Sequence, residues 1–202
     1  PYVKKQGLFE AKVIAAHCVH VDMGEIRTLK NHGAGVSHNP SSNLKLASGF
    51  APVTKMLEAG LNVGIGTDGP ASNNDLDMFE EVRLASFVAK AASNDPTSVP
   101  AQTALTMATR LGAQALHLGH LTGSLTPGRR ADLIVVDTSP LHNSPRFRRD
   151  PNNAYAQIVY AAKSTDVSDV MVNGKWLMQD RRLLTLDEAA LREAAQDYAR
   201  RM

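Results

Sequence analysis

Between residues 12 and 92 the chain alternates three times between a short apolar run and a longer segment with helical spacing. The runs are KVIAAH (12–17), AGVSH (34–38) and LNVGIG (61–66). The segments that follow are DMGEIRTLKN (22–31), APVTKMLEAG (51–60) and LDMFEEVRLASFVAKAA (76–92). Connections this short between strand-length and helix-length pieces leave few topologies, and the one that satisfies both periodicities is parallel strands joined by helical crossovers. Local punctuation agrees: Asp22 is placed to cap the first helix, Gly33 to end it, and the second helix has Pro52 near its start and Gly60 at its end. The polar stretch 39–49 and the Gly-, Asp- and Asn-rich stretch 66–75 read as loops.

The remainder has a different pattern. Residues 100–118 predict two helical segments broken near Gly112, 130–137 a strand, and 138–153 a Pro-bearing loop. VSDVMVNGKWLM (167–178) predicts a hairpin, with Asn173 and Gly174 supplying the positive φ angles of its turn, and 187–201 an amphipathic helix. Trp176 and Tyr155 are expected in a core or an interface, and Arg129 and Arg130 on a solvated surface.

With 202 residues, 43% hydrophobic and 21% charged, the chain has enough apolar surface to bury a core. Lys and Arg outnumber Asp and Glu by 22 to 20 and are scattered apart from short Arg pairs at 129–130, 148–149, 181–182 and 200–201, which argues against a nucleic-acid partner. No apolar run approaches the roughly 18 residues of a membrane span and no signal peptide opens the chain, so no membrane association and a cytoplasmic address are expected. Cys18 is the single cysteine; it cannot form an internal disulfide and is expected to be an inert core thiol. The chain opens at Pro1 in mid-pattern, and further residues upstream are expected.

Chemistry concentrates at strand ends. His17, His38 and Asp68 each stand at or just past the carboxyl end of one of the three strands, spaced 21 and 30 residues apart. In a parallel α/β barrel such positions share one mouth, where rigid strand ends hold side chains and loops vary. Neutral imidazole and carboxylate are ligands a borderline divalent metal accepts, so metal-assisted hydrolysis is the predicted chemistry. Asp68 beside Gly69 also suits a turn residue, and His20, His32, His117, His120 and His142 are read as structural.

Four blocks carry a resemblance: HCVH (17–20), SHNPSSNLKLASGFAPVTKMLEAG (37–60), GTDGPASNNDLDMFEEVRLA (66–85) and GSLTPGRRADLIVVD (123–137). Together they resemble the amidohydrolase superfamily, and within it the deaminases acting on S-adenosylhomocysteine and 5'-methylthioadenosine and their chlorohydrolase relatives. The resemblance implies an α/β fold: the carboxyl-terminal portion of a (β/α)8 barrel, strands six to eight with their helices, over residues 1–122, and part of a small β-sandwich with the last helix over 123–202.

It further implies that Asp68 binds the metal and shuttles a proton from the attacking water, and that His17 contacts the water or the departing group. His38 would lie behind the site or face the substrate, and Ser72, Asn73 and Asn74 would shape the loop over the pocket. The implied cofactor is zinc, with iron as the alternative. The implied partner is a small purine nucleoside or related heterocycle, and the implied assembly a homo-oligomer. Family members take two metal histidines from an HxH motif and a third from the fifth strand, and this chain contains no HxH. The site is therefore expected to need the other barrel half. A chlorohydrolase, a guanine or cytosine deaminase, and a non-catalytic fragment are the competing expectations.

Overall fold

The computed structural model describes residues 2–145, 150 and 152–201; the Arg pair at 148–149 and part of the loop expected over 138–153 lie outside the described residues. After a short helix α1 (Tyr2–Lys5), strands β1 (Ile14–Ala16), β2 (Gly35–His38) and β3 (Asn62–Ile65) form a parallel sheet in that order, with Val36 opposite Ala15 on one side and Val63 on the other. Crossovers carry α2 (Met23–Asn31), then α3 (Pro40–Lys45) and α4 (Val53–Glu58). After β3 come α5 (Pro70–Asn73), α6 (Met78–Ser93), α7 (Ala101–Ala108) and α8 (Arg110–Ala115). Asp22 caps α2 as expected: its carboxylate accepts from the Glu25 N–H at 2.8 Å while Glu25 accepts from the Asp22 N–H at 3.1 Å.

The two faces of the sheet are covered differently. Val36 and Val63, both 0% exposed, join Ile26, Met56, Val82 and Met107 in one apolar core between the sheet and its helices. Strand residues alternate sides, so Gly35, Ser37 and Gly64 point the other way. There α8 lies against the glycines: a Cβ on Gly64 would stand 2.8 Å from the Gly112 Cα. This close approach corrects the expected helix break. The chain bends at Thr109 (φ −123, ψ −98), and Gly112 lies inside α8 where the helix meets β3 without a side chain between them.

A four-stranded antiparallel sheet follows: β4 (Leu133–Val136), β5 (Val167–Val172), β6 (Lys175–Gln179) and β7 (Arg182–Leu183). The predicted hairpin is β5–β6, turning through Asn173 (φ 50) and Gly174 (φ 77). Between β4 and β5 the chain returns to the first body. After α9 (Asn152–Ala156) comes a π-helical turn, Gln157–Ala161, that buries Val159 and stacks Tyr160 on Phe87 of α6 at 5.5 Å. The Tyr160 hydroxyl shares a 2.9 Å hydrogen bond with Ser86, and Arg83 donates to the Val159 and Ala162 carbonyls. Helix α10 (Glu188–Arg201) has no buried residue. Among the described residues no helix is long and apolar enough to cross a membrane.

Two further readings change. The loop expected at 39–49 contains α3, whose first residue is Pro40, with φ already set for a helix. Arg129 is a brace and not solvated surface, because its guanidinium donates to the carbonyls of Gly119 and Thr122. Three of the five histidines read as structural have partners: His32 stacks on Phe9 at 4.6 Å, His117 meets the Val13 carbonyl at 3.2 Å, and His142 meets Asp166 at 2.8 Å.

Asp166 is 3% exposed. Burial alone would push its carboxyl up, but bonds from His142, Lys163 and Asn143 outweigh that and hold it below the ordinary aspartate value. A depressed folded-state value contributes stability that is complete above the unfolded value, about 3.9, and is lost as pH falls through the folded one. Thermal unfolding followed from pH 7 downward should therefore lose stability below about pH 4, and Asp166→Asn should flatten that acid limb. An unchanged limb in the variant would remove Asp166 as its source.

Candidate functional site

Two of the predicted residues meet at the carboxyl end of the parallel sheet. β1 ends at Ala16, and the backbone then turns through left-handed conformations at His17 (φ 64) and Cys18 (φ 50), held by the His17 N–H donating to the Ser37 carbonyl at 2.8 Å. Asp68, three residues past β3, is also left-handed (φ 63). Such conformations cost a non-glycine residue on the order of 1–3 kcal/mol and persist where the surroundings impose them. Their result is that His17 Nε2 stands 3.8 Å from Asp68 Oδ2, with both side chains about a third open to solvent.

Asp68 is clamped. Ser42 of α3 and Ser72 of α5 each donate a hydroxyl to the same oxygen, Oδ2, at 2.7 Å. Those two hydrogen bonds, then one from the Gly69 backbone and the nearness of His17, lower its carboxyl to about 2. The group is ionised at neutral pH. Oδ1 receives no side-chain hydrogen bond among the described residues.

His17 is oriented from behind. Its Nδ1 lies 2.8 Å from Asn43 Oδ1, which accepts only, so Nδ1 carries a proton and Nε2 is the nitrogen turned toward Asp68. The Asn39 amide nitrogen stands 3.5 Å from the same nitrogen; with Nδ1 protonated both are donors and no hydrogen bond joins them. The 3.8 Å gap between Nε2 and Oδ2 exceeds a direct hydrogen bond.

His38 takes the placement behind the site and not the substrate-facing one. It is 2% exposed, on the same side of β2 as Val36, and neither ring nitrogen has a partner among the described residues. Burial, then the neighbouring His17, lowers it to about 4, so the ring is neutral. Asn73, expected at the substrate, is occupied by the scaffold: its amide nitrogen donates to Glu81 at 2.6 Å and its oxygen accepts from the Leu76 N–H at 2.8 Å. Asn74 accepts from Lys45, which also holds the Ala71 carbonyl. Cys18 is pushed up by burial and then by Glu25, as suits an inert thiol.

Ser42, Asn43 and Glu81 are site residues that the strand-end argument passed over. A signal for the first two was present. HNPSSN (38–43) and DGPASN (68–73) share the pattern Pro-x-Ser-Asn, two residues after His38 and Asp68. Each proline begins a short helix, each serine reaches Asp68, and the two asparagines go to His17 and Glu81.

As a metal site the cluster is partial. Among the described residues no group of three or more His, Cys, Asp or Glu is arranged to hold a cation. Asp68 nevertheless fits one corner of a zinc site: an oxygen donor ionised at neutral pH, with its orientation set by two hydroxyls.

Comparison with known proteins adds to this geometry. The model of the amidohydrolase family matches residues 2–177. A 5-methylthioadenosine/S-adenosylhomocysteine deaminase of Dictyoglomus thermophilum is 51% identical over 193 residues, 96% of this chain and 44% of that protein. Among solved structures, an adenosine deaminase from Xanthomonas campestris with bound zinc superposes with a TM-score of 0.93 at 42% identity, over 99% of this chain and 44% of that one. An atrazine chlorohydrolase from Arthrobacter aurescens complexed with zinc gives 0.85 at 28%, over 98% and 42%. The chain thus spans less than half the length of these relatives, and its three parallel strands correspond to part of their barrel.

Proposed function

The chain belongs to the amidohydrolase family, and from that footing we propose that it forms the proton-handling side of a zinc-dependent deaminase that converts an adenine nucleoside of the S-adenosylhomocysteine or methylthioadenosine class to its hypoxanthine product and ammonia. The observation that carries this reading is the convergence of His17 Nε2 and Asp68 Oδ2 at 3.8 Å on one rim. We assign the remaining metal ligands to barrel strands outside this chain, and the enzyme to the cytoplasm as a homo-oligomer.

Zinc bound beside Asp68 supplies the Lewis acidity that makes water a nucleophile near neutral pH. The chain's own residues handle the protons. Asp68, lowered to about 2, is ionised in the resting site and takes a proton only from a strongly acidified water. Once protonated it is a strong acid, suited to passing that proton to the departing amine. In its neutral form His17, with its proton on Nδ1, accepts a hydrogen bond at Nε2 and aims the attacking oxygen at the ring carbon bearing the amino group. Dechlorination on the same scaffold is the second reading; it draws on a neighbour at 28% identity against 51% for the deaminase relative, and it is weaker for that reason.

Purified complete enzyme loaded with zinc should release ammonia from S-adenosylhomocysteine or methylthioadenosine and shift the purine absorbance to shorter wavelength. Chloride released from a chlorotriazine faster than ammonia from either nucleoside would overturn the deaminase assignment.

A further inference from the structure

Glu81 lies in the first turn of α6, 1% exposed, and among the described residues no lysine or arginine pairs with it. A carboxylate buried without a cation is costly unless hydrogen bonds replace its water. Glu81 has such bonds from two places. Oε2 accepts the Ser41 backbone N–H at 3.2 Å, and Oε1 accepts the Asn73 amide at 2.6 Å. Ser41 precedes Ser42 and Asn73 follows Ser72, so each oxygen holds the residue next to one of the two hydroxyls on Asp68. The two Pro-x-Ser-Asn turns follow different strands, β2 and β3, and the described hydrogen bonds that join them are those through Glu81, Lys45 and Asp68.

We propose that Glu81 is a positioning residue for the reaction: by gripping both turns at once it sets the separation of the Ser42 and Ser72 hydroxyls and so the orientation of Asp68. The inference rests on the functional reading above in treating Asp68 as the proton carrier. Its geometric part stands apart from that reading. Glu81→Gln keeps size and one acceptor but places an NH2 against a donor, Ser41 N–H or Asn73 amide, so one turn must let go. Glu81→Asp keeps the charge and shortens the reach to both.

The test compares wild type, Glu81→Gln, Glu81→Asp and Asn73→Ala, the last removing a single arm. It measures crystallographic Ser–Asp68 distances, zinc content, melting temperature, and kcat and KM separately. In Glu81→Gln one serine hydroxyl should move beyond hydrogen-bond distance of Asp68 Oδ2. kcat should fall about 10- to 100-fold with KM within about twofold and zinc retained. Asn73→Ala should release Ser72 and leave Ser42 in place. A lowered melting temperature with both serine distances and kcat unchanged would overturn the proposal, because Glu81 would then only brace the fold. Should Glu81→Gln not fold, unchanged serine distances in Asn73→Ala would overturn it as well. If the distances shift as stated while the wild-type enzyme deaminates nothing, Glu81's role stands and the functional reading falls.

Discussion

Asp68→Asn in the complete enzyme is expected to lower turnover by roughly a thousandfold or more, since a general acid–base group contributes about 10²–10⁴ and the same change weakens a metal ligand. The substitution is chosen because the structure can absorb it. Asparagine tolerates the left-handed backbone that Asp68 adopts (φ 63), and its single oxygen still accepts from Ser42 and Ser72. What disappears is the charge. Asp68 is held at about 2, chiefly by those two hydroxyls, so its contribution to stability is complete above the unfolded value and is lost only as pH falls from about 4 toward 2. At neutral pH the variant forfeits that contribution without losing its shape, so circular dichroism should remain native while steady-state turnover collapses. Turnover within tenfold of wild type would remove Asp68 from the proton path.

The parts legible in the sequence were those governed by short-range rules. The three βα units followed from periodicity, the start of α2 from Asp22, and the β5–β6 hairpin from Asn173 and Gly174. His17 and Asp68 were found because a polar residue ending an apolar run has few other uses. His38 passed the same test, yet its side chain is buried; period-two alternation puts it with Val36 and away from Ser37, a distinction between faces that strand-end position does not make. Glu81 was hidden for another reason. In FEEVRLA it looks like one more charge on a solvated helix face, and only the folding of α3 and α5 over that face buries it. Arg83 and Arg129 likewise became braces through carbonyls that no local pattern announces.

The largest loss of stability is expected from Gly35→Val. A Cβ at Gly35 would stand 1.9 Å from the Ala115 carbonyl oxygen and 2.6 Å from its Cα, both backbone atoms that no rotamer change can clear. Overpacking a core ordinarily costs about 1–3 kcal/mol; here α8 must leave the sheet, so the cost should reach the top of that range or exceed it. The damage should also reach the site. β2 carries Gly35 at its start and, one residue before its end, Ser37, whose carbonyl receives the His17 N–H. A displaced β2 therefore loosens His17 from Asp68 while leaving both residues unchanged in sequence. Gly69→Ala is the control: a Cβ there meets nothing within 4 Å at an ordinary φ of −84, and its effect on stability should stay within about 1 kcal/mol. Denaturant unfolding of the two variants should thus differ widely in midpoint. Equal midpoints would mean that α8 does not rest on the glycine face of the sheet, and that the strand ends owe their spacing to something else.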